Sequence, residues 1–154
     1  MPCCLEWVFT SVPGDVVRYL GGVVVLPDGD RHAVRVLVVE SDTRVRAALR
    51  TLLATASGIN VVAEAESRAA ALASALSVRP DVVLVSVRPS AGCDGLELLR
   101  VLTAELGIPA VAISFERTVR ERALKAGASW FFDHNGVLDE LLDVLAKFRL
   151  RRMT

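Results

Sequence analysis

At 154 residues, 53% of them hydrophobic, the chain has the size and apolar content of one compact domain with a sizeable core. Eighteen basic residues balance eighteen acidic ones, so no chain-wide attraction to nucleic acid or to an anionic membrane is available, and any such binding must be local. Cys3, Cys4 and Cys93 make neither a disulfide framework nor a zinc spacing, no apolar run of about eighteen residues exists to span a bilayer, and no secretory signal is recognisable; a reducing cytoplasm is the expected home.

Residues 1–33 show no sustained period of 3.6 or 2 and read as an N-terminal extension, either poorly ordered or a short hairpin. Within it, Val23 to Leu26 is a candidate strand that turns at Pro27-Asp28-Gly29 and pairs with the segment after that turn. From Val34 the pattern becomes regular. Val34 to Val39 is an apolar strand, halted by Glu40-Ser41-Asp42-Thr43, whose polar side chains can cap a helix carrying Val45, Leu49, Leu52 and Leu53. Gly58 ends that helix, Ile59 to Ala63 is a second strand, and Glu64-Ala65-Glu66-Ser67 leads into an alanine-rich helix with Leu72 and Leu76 on one face. Asp81 to Val87 is the third strand. Its unbroken apolar run, bounded by Arg79-Pro80 and by Pro89 to Gly92, suits a central strand covered on both faces. A loop through Cys93-Asp94-Gly95 then enters the helix of Leu96, Leu99 and Leu102. Ala110 to Ser114 is the fourth strand, Val119, Ala123 and Leu124 mark its helix, and Ser129 to Phe132 is a short fifth strand. Leu138, Leu141, Leu142 and Leu145 stripe the last helix of a domain spanning 34–148, and 149–154 form a basic tail.

Strands alternating with helices of this length predict an α/β domain, a doubly wound five-stranded parallel sheet with helices on both faces. In such sheets ligands and reacting groups gather outside the carboxyl ends of the strands, which places Ser86 at the chemically decisive spot.

Val36-Leu37-Val38-Val39 followed by acidic and polar residues, Arg79-Pro80-Asp81-Val82-Val83-Leu84-Val85, Asp94-Gly95-Leu96-Glu97-Leu98-Leu99 and Ala126-Gly127-Ala128-Ser129 together resemble the receiver domain of bacterial two-component response regulators. The resemblance runs from about Val34 to Phe148 and implies the flavodoxin-like strand order 2-1-3-4-5. It also implies phosphoryl transfer from a histidine kinase to an aspartate after the third strand. Carboxylates after the first strand would hold Mg²⁺, with a hydroxyl after the fourth strand and a lysine after the fifth stabilising the phosphoryl group.

Position by position, most of that set is replaced. Glu40 holds the first acidic position, Ser41 the second, and Ser86 the place of the phosphoacceptor. Ser114 keeps the hydroxyl, His134 stands where the lysine is implied, and Phe131 occupies the place of the switching aromatic residue. Asp81 falls at the wrong end of its strand to substitute, Asp42 sits where a cap belongs, and Asp94 lies in a loop whose Pro89 comes one residue early. No metal or other cofactor is expected, although Glu40 keeps a weak claim on Mg²⁺.

The expectation is a non-enzymatic, atypical receiver that acts through protein contacts, with a histidine kinase or another regulator as partner. Its fourth helix, fifth strand and fifth helix would form the contact face and a homodimer interface, through Arg117, Arg120, Lys125, Trp130, Phe131, Asp139, Asp143 and Lys147. Alternatives are an ordinary phosphorylated regulator with unusual residues, a small-ligand sensor using Ser41, Ser86, Ser114 and His134, and a fragment of a transcriptional regulator. In that last case DNA binding would need an output domain after Thr154, since Lys147, Arg149, Arg151 and Arg152 by themselves suit a helix end.

Overall fold

A computed structural model of the chain describes residues 11–12, 15–16, 18–20, 23–25, 33–88, 94–134 and 138–148. The chain divides into two compact units, Met1–Ala33 and Val34–Thr154.

In the first unit, β1 (Ser11–Val12) pairs antiparallel with β2 (Asp15–Val16), and β3 (Arg18–Leu20) with β4 (Val23–Val25). The strand expected at Val23 pairs with the segment before it, and the segment after it lies outside the described residues. Leu20 faces Val23, so only Gly21-Gly22 separates the two strands in sequence, the length and composition of a two-residue hairpin connection. Pro27-Asp28-Gly29, the loop at residues 89–93 and the basic tail lie outside the described residues.

The second unit carries β5 (Val34–Val39), α1 (Thr43–Ala54), β6 (Ile59–Ala65), α2 (Arg68–Val78), β7 (Val82–Ser86), α3 (Asp94–Arg100, continued by a wider π turn over Val101–Glu105), β8 (Ala110–Ser114), α4 (Arg120–Lys125, after a 3₁₀ turn at Arg117–Val119), β9 (Trp130–Asp133) and α5 (Leu138–Lys147). The five strands of this unit form one parallel sheet in the order β6-β5-β7-β8-β9, which is 2-1-3-4-5 counted within the sheet.

Side chains alternate across a strand, so each central strand feeds two cores. Leu37, Val39, Val83, Val85, Ala110 and Ala112 point to the face covered by α2, α3 and α4, through Ala71, Ala75, Leu98, Leu99, Leu102, Val119 and Ala123. Val36, Val38, Val82, Leu84, Val111 and Ile113 point to the other, against Leu49 and Leu53 of α1 and Leu141, Val144 and Leu145 of α5. The apolar character of β5, β7 and β8, in which only Arg35 and the terminal Ser86 and Ser114 are polar, is thus the consequence of cover on both sides.

Two helix faces differ from the sequence reading. On α2 the buried stripe is Ala71 and Ala75, while Leu76 is 62% exposed; on α4, Leu124 is exposed beside buried Ala123. Where a helix lies close on a sheet, the small residue is the one that fits between backbones. The first helix also stops earlier than Gly58, at Ala54 with Thr55 as its C-cap, and Gly58 (φ +87°) then turns the chain into β6.

Gly127 locks α3 to the chain entering β9. Its φ of +113° suits glycine alone, and a methyl group there would run into Thr103 of α3, whose hydroxyl donates to Leu99 O (2.8 Å).

Candidate functional site

Every strand of the parallel sheet ends at the same edge, and the residues singled out by sequence follow one another along it. β5 and β7 are hydrogen-bonded neighbours with Val39 beside Val85, so the first residues beyond them are brought together by topology. Glu40 leaves β5 and Ser86 closes β7; Ser114 closes β8 beside Asp133 of β9, and His134 comes next in the chain.

Glu40 is the buried charge of this edge, 1% exposed as a residue. Burial of a carboxylate is costly unless charge and hydrogen bonds compensate it. Its Oε1 accepts from the Asp42 backbone N–H at 2.8 Å and from Arg88 Nη2 at 2.8 Å. The Glu40 carbonyl accepts from Arg46 Nη1 at 2.9 Å, and its backbone N–H donates to Ala65 O at 3.0 Å. Glu40 Oε2 and Arg88 Nε have no hydrogen-bond partner among the described residues.

Asp42 caps α1. Its Oδ1 accepts from the N–H groups of Arg44 (2.8 Å) and Val45 (3.1 Å), and these two bonds, first Val45 and then Arg44, hold its carboxyl below the ordinary aspartate range. Asp81 sits at the opposite end of the sheet, before β7, where its Oδ2 accepts from the Arg35 N–H at 2.9 Å. Neither aspartate is placed to stand in for Ser86, in agreement with the sequence reading.

A cleft of about 260 Å³ opens at the edge, lined by Glu40, Ser41, Glu66, Ser67, Arg68, Ser86, Arg88 and Gly95 among others. Gly95, at the start of α3, lies close enough to β7 that a Cβ on it would be 3.3 Å from Ser86 O and from Val87 Cα, so α3 can approach Ser86 only without a side chain there. Glu40, Ser41 and Ser86 are therefore brought together, whereas Ser114 and His134, grouped with them by sequence, do not line the cleft.

Ser114 is buried, and its Oγ accepts from the Glu116 N–H at 3.1 Å, closing the turn into α4. The His134 N–H donates to Ser114 O at 3.0 Å, and its ring stacks on exposed Phe115 with centroids 3.8 Å apart and planes 11° from parallel. Burial pushes the imidazole below its usual pKa, with the Glu40 charge opposing that and Arg88 reinforcing it.

The α4, β9 and α5 face carries most of the proposed contact residues. Trp130 is 42% exposed, with Lys147 Nζ 5.7 Å from its ring, and Arg117 Nε donates to Asp133 Oδ2 at 2.6 Å. A shallow hollow of about 720 Å³ collects Arg117, Arg120, Leu124, Trp130, Phe131, Phe132 and Glu140. Lys125, Asp139 and Asp143 are exposed but do not line it, and Phe131 packs partly against the core.

The residue that sequence reasoning missed is Arg88. Its signal was indirect: a carboxylate forced inside at Glu40 demands a cation, and Arg88 is the one carried on the strand exit next to it.

A five-stranded parallel sheet in this order, with polar side chains at its carboxyl edge, defines a doubly wound α/β domain of the receiver class. A family model described as the response regulator receiver domain matches residues 36–146, and the chain belongs to that family, whose setting is two-component signalling. Over 115 residues it is 33% identical to the response regulator GacA of Pseudomonas viridiflava, covering 73% of this chain and 53% of that protein. It is also 36% identical over 100 residues to protein-glutamate methylesterase/protein-glutamine glutaminase 5 of Myxococcus xanthus, covering 62% of this chain and 28% of that one. The signal receiver domain of the response regulator NarL from Mycobacterium tuberculosis superposes with a TM-score of 0.66 at 30% identity, over 77% of this chain and 97% of that one. The chain spans about half the length of the GacA relatives it matches. Among the described residues no helix is long and apolar enough to cross a membrane.

Proposed function

We propose that this domain is an atypical receiver that signals without aspartyl phosphorylation, through protein contacts. The carrying observation is Ser86 at the carboxyl end of β7, a hydroxyl in the place where the resemblance implies the phosphoacceptor. A serine cannot form the acyl phosphate of an aspartate, and His134, whose ring stacks on Phe115, has no hydrogen-bond partner at Nε2 among the described residues, so that nitrogen is not engaged with Ser86 as a base. The domain then works as a non-enzymatic module in the cytoplasm, and its partner is a histidine kinase or another regulator. Exposed Trp130, framed by Arg117 and Arg120 on the α4, β9 and α5 face, supports a homodimer through that surface.

Incubation of the full chain with acetyl phosphate and Mg²⁺, read by intact mass, is the test. An unmodified mass is the expected result; an adduct mapped to Ser86 or to any aspartate overturns the proposal. Sedimentation should show a dimer that Trp130→Ala weakens, and an unchanged association constant would remove this face from the reading. The cleft of about 260 Å³, with two arginines and two glutamates on its walls, favours a second reading as a small-ligand sensor. A thermal-shift screen of small anions and zwitterions tests it.

A further inference from the structure

We propose that Arg88 is the resident cation of this domain's acid site, taking the place where the resemblance implies a divalent metal and excluding that metal. The inference extends the unphosphorylated reading by naming what holds the emptied site in one state.

Three observations carry it. The first is charge: the Glu40 side chain is 0% exposed, and the guanidinium of Arg88 meets it at 2.8 Å while its own side chain is 34% exposed. A carboxylate this deep needs a positive charge in contact, and the protein supplies one covalently. The second is the donor set. Mg²⁺ takes six oxygen ligands in near-octahedral array, mostly carboxylates, water and phosphate. This edge offers one fully buried carboxylate, whose Oε1 is already shared between Arg88 and the Asp42 N–H while its Oε2 has no partner among the described residues, together with the hydroxyls of Ser41 and Ser86 and the Glu66 side chain on the cleft wall. Among the described residues no group of three His, Cys, Asp or Glu side chains gathers for a metal ion, so a dication here would rest on Glu40 and water and would be held weakly enough for one cation in contact with that carboxylate to exclude it. The third is connectivity. Val39 and Val85 are paired, Glu40 follows the first strand directly, and Arg88 lies two residues beyond Ser86 at the end of the second. The ion pair therefore fastens together the exits of the two central strands, across 48 residues of sequence.

A guanidinium at contact distance repels a dication from the same oxygen. Arg68, also on the cleft wall, lies 4.0 Å from Glu97, so the cation in contact with Glu40 is Arg88. Removing the positive charge while keeping the alkyl stem should convert Glu40 from an ion-pair partner into a metal ligand.

The full chain is titrated with Mn²⁺ by the loss of the free-ion paramagnetic signal, as wild type, Glu40→Gln, Arg88→Met, Arg88→Lys and Arg88→Met/Glu40→Gln. Wild type and Arg88→Lys are expected to show no saturable binding, Arg88→Met to gain at least about tenfold in affinity, and the double variant to lose that gain. Saturable binding by wild type that Glu40→Gln abolishes overturns the inference, as does an Arg88→Met protein that folds but gains nothing. Should Arg88→Met fail to fold, recovery of the fold in the double variant supports Arg88 as the counter-ion, and failure of both variants overturns it. The two proposals fail separately: a phosphoryl adduct on wild type sinks the unphosphorylated reading, whereas metal binding by wild type without an adduct sinks only this one.

Discussion

The pairing of Glu40 with Arg88 makes an asymmetric prediction about stability. Deleting one partner of a buried ion pair costs about 3–5 kcal/mol, because the other is left buried and uncompensated. Here the two partners are not equally buried. The Glu40 side chain has no exposure, so Arg88→Met strands a carboxylate that keeps one neutral hydrogen bond, from the Asp42 N–H at 2.8 Å. That bond moves the expected loss to the lower part of the range, about 2–4 kcal/mol. Glu40→Gln, by contrast, keeps an acceptor for both donors and leaves Arg88, a third exposed, free to turn its charge to water, so its expected cost is about 1 kcal/mol. The double variant replaces the pair by a neutral, similarly shaped one and should lie within about 1 kcal/mol of wild type, a coupling of about 2–6 kcal/mol. Against a total stability of about 5–15 kcal/mol, Arg88→Met removes a large fraction, and its melting temperature should fall by roughly 5–15 °C. Urea denaturation followed by far-ultraviolet circular dichroism at neutral pH measures all four corners of the cycle. Equal losses for the two single variants, or a double variant as unstable as Arg88→Met, would refute the assignment of Arg88 as Glu40's counter-ion.

Gly127→Ala combines a φ that non-glycine residues rarely adopt, about 1–3 kcal/mol, with a clash against Thr103 worth about 1–3 kcal/mol, and should destabilise by about 2–6 kcal/mol. Placing it in a Thr103→Ala background, which removes the hydroxyl and the methyl but keeps the Cβ, should relieve most of the steric part, and an unchanged penalty there would show that the Thr103 hydroxyl is not the obstacle. For His134 the sign follows from burial. Its folded pKa lies below the ordinary 6.5, so as pH falls past that value the unfolded chain takes up a proton that the folded chain still refuses, and stability drops until the lowered value is reached. His134→Gln should remove that component, so denaturation midpoints between about pH 7.5 and pH 5 should fall less steeply for the variant than for wild type; parallel curves would contradict the burial argument. Leu84→Ala, which empties a fully buried site in the core beside α1 and α5, should cost about 2–5 kcal/mol by the same denaturation assay, and a loss below about 1 kcal/mol would mean that the site collapses around the cavity.

Strand and helix order in the second unit was legible from residue pattern because its signals are local. The apolar runs of β5, β7 and β8, the cap at Asp42 and the Gly127 turn are each set by a few neighbouring residues. Faces were less legible than elements. Leu76 and Leu124 read as core by type, yet the sheet lies so close to α2 and α4 that alanines fill the contact and the leucines turn outward. The pairing of Val23–Val25 with Arg18–Leu20 was not legible for a related reason: a short apolar strand reads the same whichever neighbour it pairs with.

The chemistry of the edge divides in the same way. Which side chains stand at the strand ends follows from sequence alone, since strand length and connection order carry Glu40, Ser86, Ser114 and His134 to one edge of a parallel sheet. What those side chains face depends on distances between segments far apart in the chain. Glu40 and Arg88 are 48 residues apart and share no local signal, but hydrogen bonding of β5 to β7 puts their strand exits side by side, and burial of the carboxylate then requires the guanidinium. Likewise the position of His134 in the chain carried it to this edge, but its stack on Phe115, with centroids 3.8 Å apart, is a contact that only the folded chain makes. Local propensity and period determine the parts and their order; solvation energy and packing, which act only once the chain is closed, decide which charge meets which.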